Sequence, residues 1–309
     1  MTIQVFIDGG AGTTGLEIGE RLAGRADIAL LTLPDARRKE AAARAEALNA
    51  ADIVILCLPD DAAREAVALI DNPATRVIDA STAHRVADGW TYGLPEVSGR
   101  DTVAGSMRVS NPGCYSTGFI ALVAPLVRAG LIPADLPLTC NAVSGYSGGG
   151  KGMIADYEGE SGAPTAWRGY ALGLNHKHVP EMRVQSGLSV APIFAPSVAN
   201  VLRGMIVEVP VHIGALPDRA SATALRDALA DFYAGSPIVR VVRDHADPTL
   251  PIERLAGTDR LDLFVFADAA DTQVRLVAAL DNLGKGAAGA AVQSLNLMAG
   301  LPETEGLRL

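Results

Sequence analysis

The sequence lacks the features that mark exported, membrane-spanning and nucleic-acid-binding proteins. Only three cysteines occur in 309 residues. The N-terminus has neither the basic segment nor the apolar core of a signal peptide, so the cysteines are expected to be reduced thiols rather than parts of a disulfide framework. No apolar run approaches the roughly 20 residues that span a bilayer. Acidic residues outnumber basic ones by 35 to 26, giving a formal net charge of −9, which disfavours nucleic acid or an anionic membrane as a general partner. We therefore expect a cytoplasmic protein.

The composition is that of an ordinary globular protein. Hydrophobic residues make up 49% of the chain and charged residues 20%, so there is ample apolar area for a core. A length of 309 residues exceeds what one hydrophobic core usually organises. Two domains are expected.

Strand and helix patterns alternate through the first third of the chain. Predicted strands are "IQVFI" (3–7), "DIALLTL" (27–33), "ADIVILCLP" (51–59) and "RVIDAST" (76–82); predicted helices are "GLEIGERLAG", "ARRKEAAARAEALNA" and "DDAAREAVALI". This alternation predicts an α/β domain with a parallel sheet covered on both faces.

From about residue 135 the pattern becomes richer in β-strands. The predicted strands are "LPLTCNAVS", "RGMIVEVPVHI", "PIVRVV", "DLFVFA" and "QVRLVAAL", with one clear helix, "SATALRDALADFYAG", among the last four. This predicts an α+β domain with a mixed or antiparallel sheet. The tail 282–300 is again helical and is able to pack on the first domain.

A glycine-rich loop, "DGGAGTTG", follows the first predicted strand and precedes a predicted helix. Gly10, Gly12 and Gly15 satisfy G-x-G-x-x-G, and starting from Gly9 the spacing G-x-x-G-x-x-G is also met. Either spacing allows backbone N–H groups to approach a pyrophosphate at a helix N-terminus. The loop predicts dinucleotide binding, against the alternative of a turn without a ligand.

Charges after the second predicted strand bear on which dinucleotide binds. Asp35 is placed to bind ribose hydroxyls, as in NAD sites, whereas Arg37, Arg38 and Lys39 suit the extra 2′-phosphate of NADPH. A solvated, charged helix start would explain the same residues. NADPH is favoured.

The stretch "SNPGCYSTG" (110–118) contains the candidate nucleophile. Pro112 and Gly113 predict a turn, which places Cys114 near the N-terminus of a helix that includes "FIALVAPLVRAG". This position favours the thiolate, the reactive form of cysteine. A buried helix-start residue is the alternative. Cys57 and Cys140 lie in apolar strand-like runs, where a structural role is expected.

The stretch "LNHKHVPEM" offers candidate acids and bases. His176 and His178 alternate on a segment predicted to be extended, so both rings can face one side. Pro180 suits a first helical turn, and Glu181 is close enough in sequence to orient an imidazole. The alternatives are two ordinary loop histidines, or a zinc site for which no further ligands stand at suitable spacing.

A second glycine-rich stretch, "SGYSGGGKG" (144–152), contains the spacing G-x-x-x-x-G-K. Gly152 occupies the Ser or Thr position that a nucleotide-binding phosphate loop needs for magnesium, and no helix-forming run is predicted to follow at once. An NTPase is therefore disfavoured. Ser144, Ser147 and Lys151 suit an oxyanion or phosphate of a substrate.

These features combine into one reaction class. A thiolate would attack an acyl phosphate, phosphate would leave, and hydride from a nicotinamide would reduce the thioester to an aldehyde. A histidine would act as acid or base on the tetrahedral intermediates.

Ordered motifs along nearly the whole chain resemble the N-acetyl-γ-glutamyl-phosphate reductase family of arginine biosynthesis, in particular its shorter type, within the aspartate-semialdehyde dehydrogenase superfamily. The motifs are "GGAGTTG", "DASTAHR", "YGLPE", "SNPGCY", "SGYSGGGK", "HKHVPE" and "DNLGKGAAGAAVQ". "NPGCY" is the most specific. The chain departs from the longer type in Thr13, where that type commonly has Tyr, in "STAHR" for "SADFR", and in a shorter middle region.

The resemblance implies a Rossmann-type NADP domain (1–113 and 283–309) and an α+β catalytic and oligomerisation domain (114–282), in a homo-oligomer such as a dimer or tetramer. It implies Cys114 as the thioester nucleophile, with His178 favoured as acid/base and His176 near the substrate phosphate. The predicted cofactor-binding residues are Gly9, Gly10, Gly12, Thr13, Thr14, Gly15, Arg37, Arg38, Asn282 and Lys285. The predicted contacts to the acyl-phosphate substrate are Asn111, Ser144, Gly145, Ser147, Lys151 and Glu181, and no metal is predicted.

Two kinds of rival remain. A related reductase would act on another acyl phosphate, such as aspartyl phosphate or a carrier-linked glutamyl phosphate. A dinucleotide-binding sensor would have no chemistry and would keep its binding activity without the Cys114 thiol.

Overall fold

A computed structural model describes residues 2–34, 36–38, 40–218 and 220–309. The chain divides into two compact units. The first consists of Met1–Pro112 with Ala287–Leu307, and the second of Gly113–Gly286 with Arg308–Leu309. No helix in the described ranges is both long and apolar enough to cross a membrane.

The elements follow in chain order. The first unit contains β1 (Ile3–Asp8), α1 (Thr13–Leu22), β2 (Ile28–Leu31), α2 (Ala41–Ala50), β3 (Ile53–Leu56), α3 (Asp60–Ala68), β4 (Arg76–Asp79), β5 (Thr91–Tyr92), α4 (Pro95–Ser98), α5 (Arg100–Gly105) and β6 (Arg108–Ser110). The second contains α6 (Cys114–Arg128), β7 (Thr139–Gly145), α7 (Gly150–Glu158), β8 (Trp167–Gly169), α8 (Val179–Gln185), β9 (Ile193–Ala199), β10 (Met205–His212), α9 (Ala222–Phe232), β11 (Val239–Val241), β12 (Leu261–Ala267) and β13 (Gln273–Leu280). The last helix, α10 (Gly289–Ala299), belongs to the first unit.

The sheet of the first unit has the order β2-β1-β3-β4-β6-β5, with every pairing parallel. Parallel neighbours need crossover connections, and the helices that supply them cover both faces. On one face Val5 packs in a core with Ile18 and with Val292 of α10. On the other face Phe6 packs in a core with Leu48 of α2. The predicted parallel α/β domain is confirmed.

The strand order places a topological switch point between β1 and β3. The chain steps outward from β1 to β2 and then returns past β1 to β3. In such sheets, ligands bind in the crevice outside the carboxyl ends of the strands at the point of reversal. The glycine loop begins at the carboxyl end of β1.

The second unit contains a mixed sheet with the order β11-β12-β13-β10-β7-β9-β8. The pairs β7–β9 and β11–β12 are parallel, and the remaining pairs are antiparallel. Helix α6 lies close on this sheet, because a Cβ at Gly118 would come within 2.9 Å of Val207 Cγ2. The predicted α+β domain is confirmed. Packing on the sheet holds α6 in place, and the first residue of this helix is Cys114.

Two local predictions are wrong. A helix, α7, follows the second glycine-rich stretch at once, from Gly150. Its residues Met153, Ile154 and Tyr157 pack in an apolar cluster with Tyr146, and this burial overrides the weak helix propensity of the glycines. The segment around the histidines is also not extended, since His178 has helical backbone angles of φ −83° and ψ −16°.

Candidate active site

The backbone of the first glycine loop requires glycine. Gly9 has φ +85°, and a Cβ there would lie 2.3 Å from the carbonyl oxygen of Cys57. A Cβ at Gly15 would lie 2.6 Å from the Cα of Gly10. Gly12 forms the N-cap of α1, and its N–H donates to the Gly9 carbonyl at 2.9 Å. The loop therefore closes tightly on the first turn of a ten-residue helix, whose N-terminus suits a phosphate group.

The same loop carries a polar atom suited to a ligand. Thr13 Oγ1 is buried, and no hydrogen-bond partner for it occurs among the described residues. Thr14 is the second residue of α1. A dinucleotide fits this loop because the glycines give it room and the hydroxyl and helix-start N–H groups can donate to phosphate oxygens.

The basic residues predicted to select NADPH are only partly described. Arg37 forms an ion pair with Glu40 at 3.1 Å, and both side chains are about half exposed. Arg38 is exposed. The predictions on Asp35 and Lys39 lie outside the described residues.

Cys114 is the first residue of α6, and its side chain is partly exposed. Gly113 caps the helix in an extended conformation, and its carbonyl accepts from Thr117 N–H at 2.9 Å. The backbone of Gly286 lies against the cysteine, since a Cβ at Gly286 would come within 2.9 Å of Cys114 Cβ. The thiol thus stands at the N-terminus of a buried helix, where the helix dipole favours negative charge.

The other two cysteines differ from Cys114. Burial, with smaller contributions from the carboxylates of Asp79 and Asp8, raises the pKa of the Cys57 thiol to about 12. Burial also raises the pKa of Cys140 well above its usual range. Both thiols are neutral near pH 7 and therefore poor nucleophiles.

Glu181 connects the cysteine helix to the histidine pair. Its Oε2 accepts the backbone N–H of Gly113 at 3.1 Å, and its Oε1 lies 3.9 Å from His178 Nε2. The carboxylate is buried, with 1% of its surface exposed. Glu181 was predicted as a substrate contact and as a residue that orients an imidazole; its position beside Gly113 was not predicted.

The two histidine rings lie 4.6 Å apart, nearly at right angles. The backbone N–H of His178 donates to His176 Nδ1 at 3.1 Å. His176 Nδ1 is therefore an acceptor, and a neutral ring carries its proton on Nε2. A turn before α8, rather than strand alternation, brings the rings together.

Two tyrosines next to this cluster were missed from the sequence. Tyr170 O–H donates to the Tyr115 hydroxyl at 3.1 Å, and Tyr115 O–H donates to the Ser197 carbonyl at 2.9 Å. Burial, with a smaller contribution from negative charge on Cys114, raises the pKa of Tyr170 to about 12 and that of Tyr115 well above its usual range. Both phenols remain protonated donors at neutral pH. The only sequence signal was the position of Tyr115 directly after the cysteine.

The second glycine-rich stretch is held by internal hydrogen bonds. Ser147 Oγ donates to the Leu202 carbonyl and accepts from Asn282 Nδ2 at 2.8 Å, while Asn282 Oδ1 accepts Gly204 N–H at 3.0 Å. Ser144 Oγ donates to the Gly145 carbonyl at 2.9 Å. Asn282 and Ser147 thus join segments of the second unit, and the phosphate and cofactor roles of these residues stay predictions.

The remaining predicted residues are placed as follows. Lys151 is exposed in the first turn of α7, and Lys285 is almost fully buried in the second unit. Asn111 belongs to the first unit, where its Nδ2 donates to the Ala287 carbonyl at 3.0 Å and its buried Oδ1 has no partner among the described residues. Within the same described portion, no three His, Cys, Asp or Glu side chains converge as a metal site would.

Family models match most of the chain. Residues 17–105 match the semialdehyde dehydrogenase NAD binding domain, and residues 114–282 match the semialdehyde dehydrogenase dimerisation domain. The fold is similar to aspartate semialdehyde dehydrogenase II of Vibrio cholerae, with a TM-score of 0.76 at 18% identity over 97% of this chain and 99% of that one. It is also similar to the aspartate semialdehyde dehydrogenase of Francisella tularensis, with a TM-score of 0.71 at 13% identity over 96% and 100%.

Sequence relatives are much nearer. The chain is 52% identical to N-acetyl-gamma-glutamyl-phosphate reductase of Chelativorans sp., over 96% of this chain and 98% of the relative. It is also 52% identical to N-acetyl-gamma-glutamyl-phosphate reductase 2 of Pseudomonas putida, over 99% of both. The resemblance drawn from the motifs is confirmed. The chain therefore belongs to the N-acetyl-gamma-glutamyl-phosphate reductase family of oxidoreductases, within the semialdehyde dehydrogenases.

Proposed function

We propose that this chain reduces N-acetyl-L-glutamyl 5-phosphate to N-acetyl-L-glutamate 5-semialdehyde in arginine biosynthesis, with NADPH as reductant and release of phosphate. The observation that carries the chemistry is the position of Cys114 at the start of α6, with Glu181 bound to the preceding N–H group. The substrate follows from near full-length relatives that bear the name of this reductase.

The first step forms a covalent thioester. The Cys114 thiolate attacks the carbonyl carbon of the acyl phosphate, a C–S bond forms, and the C–O bond to phosphate breaks as phosphate leaves. The N-terminal N–H groups of α6 stabilise negative charge close to the sulfur. The partial exposure of Cys114 gives an acyl group access to it.

NADPH, when bound, supplies the hydride that reduces the thioester carbon. The resulting tetrahedral intermediate then collapses to the aldehyde and returns the thiolate to Cys114. The residues proposed to bind NADPH are those of the first glycine loop with Thr13 and Thr14, the basic Arg37 and Arg38, and Asn282 with Lys285.

His178 is the proposed acid/base, which moves a proton to and from the substrate oxygen through its imidazole. The buried Glu181 carboxylate lies 3.9 Å from its Nε2 and stabilises the protonated ring. His176, whose Nε2 carries a proton in the neutral ring, is the proposed donor to the substrate phosphate, together with Asn111, Ser144, Gly145, Ser147 and Lys151.

The proposed assembly is a homo-oligomer formed through the second unit, in keeping with the dimerisation-domain model that matches residues 114–282. The proposed location is the cytoplasm. Size-exclusion chromatography with light scattering and cell fractionation test these two points.

The activity is tested in the oxidative direction. With N-acetylglutamate semialdehyde and NADP, we expect NADPH formation that requires inorganic phosphate, because phosphate must attack the thioester to release product. Aspartate semialdehyde serves as the matched competitor. Phosphate-independent turnover, or preference for aspartate semialdehyde, would contradict the proposal.

A further inference from the structure

An ion pair at the carboxyl end of β1 has no part in the chemistry described above. Arg44 of α2 donates from Nε and Nη2 to Asp8 Oδ2, at 3.1 and 2.7 Å. The side chains of Arg44 and Asp8 are 16% and 7% exposed. By contrast, the pair of Arg64 with Asp61 on α3 is 53% and 96% exposed. The Asp8–Arg44 pair is therefore the more buried of the two, and two donors of the guanidinium bind one buried acceptor.

This pair lies at the switch point of the parallel sheet. Asp8 is the last residue of β1 and directly precedes Gly9, where the first glycine loop begins. Strand alternation puts Asp8 on the same face as Phe6, which packs in a core with Leu48 of α2. The guanidinium of Arg44 therefore lies beside the crevice that receives the adenosine half of a dinucleotide in this class of sheet.

The chemistry of the guanidinium suits a second anion. Arginine presents several N–H donors in a planar fork, and Asp8 occupies only part of that fork. Asp8 fixes the plane of the group, so little conformational entropy is lost when a phosphate binds its remaining edge. Arg37 is less suited, because it is half exposed and already paired with Glu40.

We propose that Arg44 binds the 2′-phosphate on the adenosine ribose and so selects NADPH over NADH, with Asp8 as its positioning residue. The assignment rests on the proposed function only in requiring that the first glycine loop binds NADP. Arg44 would thus act together with the exposed Arg37 and Arg38, and it differs from them in that Asp8 holds its guanidinium in place before the cofactor binds.

The test measures binding without turnover. Calorimetry with NADPH, NADH, adenosine 2′,5′-bisphosphate and AMP is compared for the wild type, Arg44→Met, Arg44→Lys and Arg64→Met. In Arg44→Met, we expect affinity for NADPH and for the bisphosphate to fall about ten- to hundred-fold, as for loss of a charge-assisted contact. Affinity for NADH and AMP should change little. Arg64→Met, which removes an equal charge from α3, should change none of the four.

Asp8 is tested by its effect on the same selectivity. Asp8→Ala should lower the preference for NADPH, because Arg44 is then free to turn away. The double variant Asp8→Ala/Arg44→Met tests the alternative. If adding Asp8→Ala restored the NADPH binding lost in Arg44→Met, the role of Arg44 would be only to neutralise a carboxylate, and the proposal would be overturned. Equal losses for NADPH and NADH in Arg44→Met would overturn it as well.

A folding defect is separated from a binding defect by circular dichroism and by Arg44→Lys. This variant keeps a cation for Asp8 but loses the planar fork, so it should fold and show a reduced NADPH preference. An unchanged preference would count against the assignment. A wild-type protein that bound neither cofactor would overturn the proposed function itself, whereas wild-type binding with unaltered Arg44 variants would overturn only this inference.

Discussion

Glu181 accepts a hydrogen bond from the backbone N–H of Gly113 at 3.1 Å, across 68 residues of sequence. Gly113 is the cap of α6 and directly precedes Cys114, so the carboxylate fixes the peptide that presents the thiol. The same carboxylate lies 3.9 Å from His178. One buried carboxylate thus binds the peptide that presents the thiol and lies close to the imidazole, the two groups that the proposed chemistry requires.

Replacing Glu181 by Gln should lower kcat about ten-fold or more, since the amide oxygen still accepts from Gly113 N–H but the negative charge that strengthens this hydrogen bond is lost. The KM for NADPH should stay nearly constant, because Glu181 is not among the residues proposed to hold NADPH. Steady-state kinetics with both substrates measure this. The exposed Glu160→Gln is the matched control, and equal kcat values for the two variants would contradict the role of Glu181.

Replacing Cys114 by Ser should abolish turnover while NADPH binding survives. A serine hydroxyl is far less nucleophilic than a thiolate and cannot form the thioester. Activity assays and fluorescence titration with NADPH measure the two properties on one preparation. Substantial residual turnover would exclude the covalent mechanism, and loss of NADPH binding would point to a folding defect.

Alkylation should distinguish the three thiols. At about pH 8, iodoacetamide should label Cys114 well before the others, because the thiolate is the reacting form. The pKa of Cys57 is raised to about 12, so its thiolate fraction grows only as the pH rises toward that value. Peptide mass spectrometry at increasing pH measures each site. Early labelling of Cys57 or of the buried Cys140 in folded protein would contradict this ordering.

The two histidines should give different kinetic effects when replaced by Asn. His178→Asn should lower kcat about a hundred-fold or more, as expected for loss of a general acid/base. His176→Asn should mainly raise the KM for the acyl phosphate, because its proposed role is to bind the substrate. The pH profile of the initial rate should lack one ionisation in His178→Asn and should keep it in His176→Asn. The reverse pattern would exchange the two assignments.

Gly286 should not tolerate even a methyl group. A Cβ at this position would lie 2.9 Å from Cys114 Cβ, so Gly286→Ala must displace either the turn or the start of α6. We expect a destabilisation of about 1–3 kcal/mol, as for overpacking, and a large loss of kcat. Thermal melting and kinetics measure both. Gly152→Ala, where a Cβ meets no atom within 4 Å, is the control; wild-type kcat in Gly286→Ala would refute the close approach.

Features that depend on neighbouring residues were predictable. The alternation of apolar strands and helices gave the parallel sheet, because each element's periodicity is a local property. The glycine spacing gave the first loop, and the stretch around Cys114 gave a helix start with a thiol at its N-terminus. Other elements escaped: β5, with two residues, is too short to show a period, β9 carries Pro196 inside the strand, and α7 depends on the packing of Tyr157 with Tyr146.

Sequence by itself determined the family, the two kinds of sheet and the glycine loop, and it supplied the thiol and the imidazoles that are proposed to react. Tertiary structure alone decided which side chains meet. Glu181 reaches Gly113, Asn282 reaches Ser147 across 135 residues, and Arg44 reaches Asp8 across 36. No local pattern encodes these contacts, because they depend on the paths of strands and helices that bring distant segments together in space. The chemical groups were visible in the chain, but their partners were fixed only by the fold.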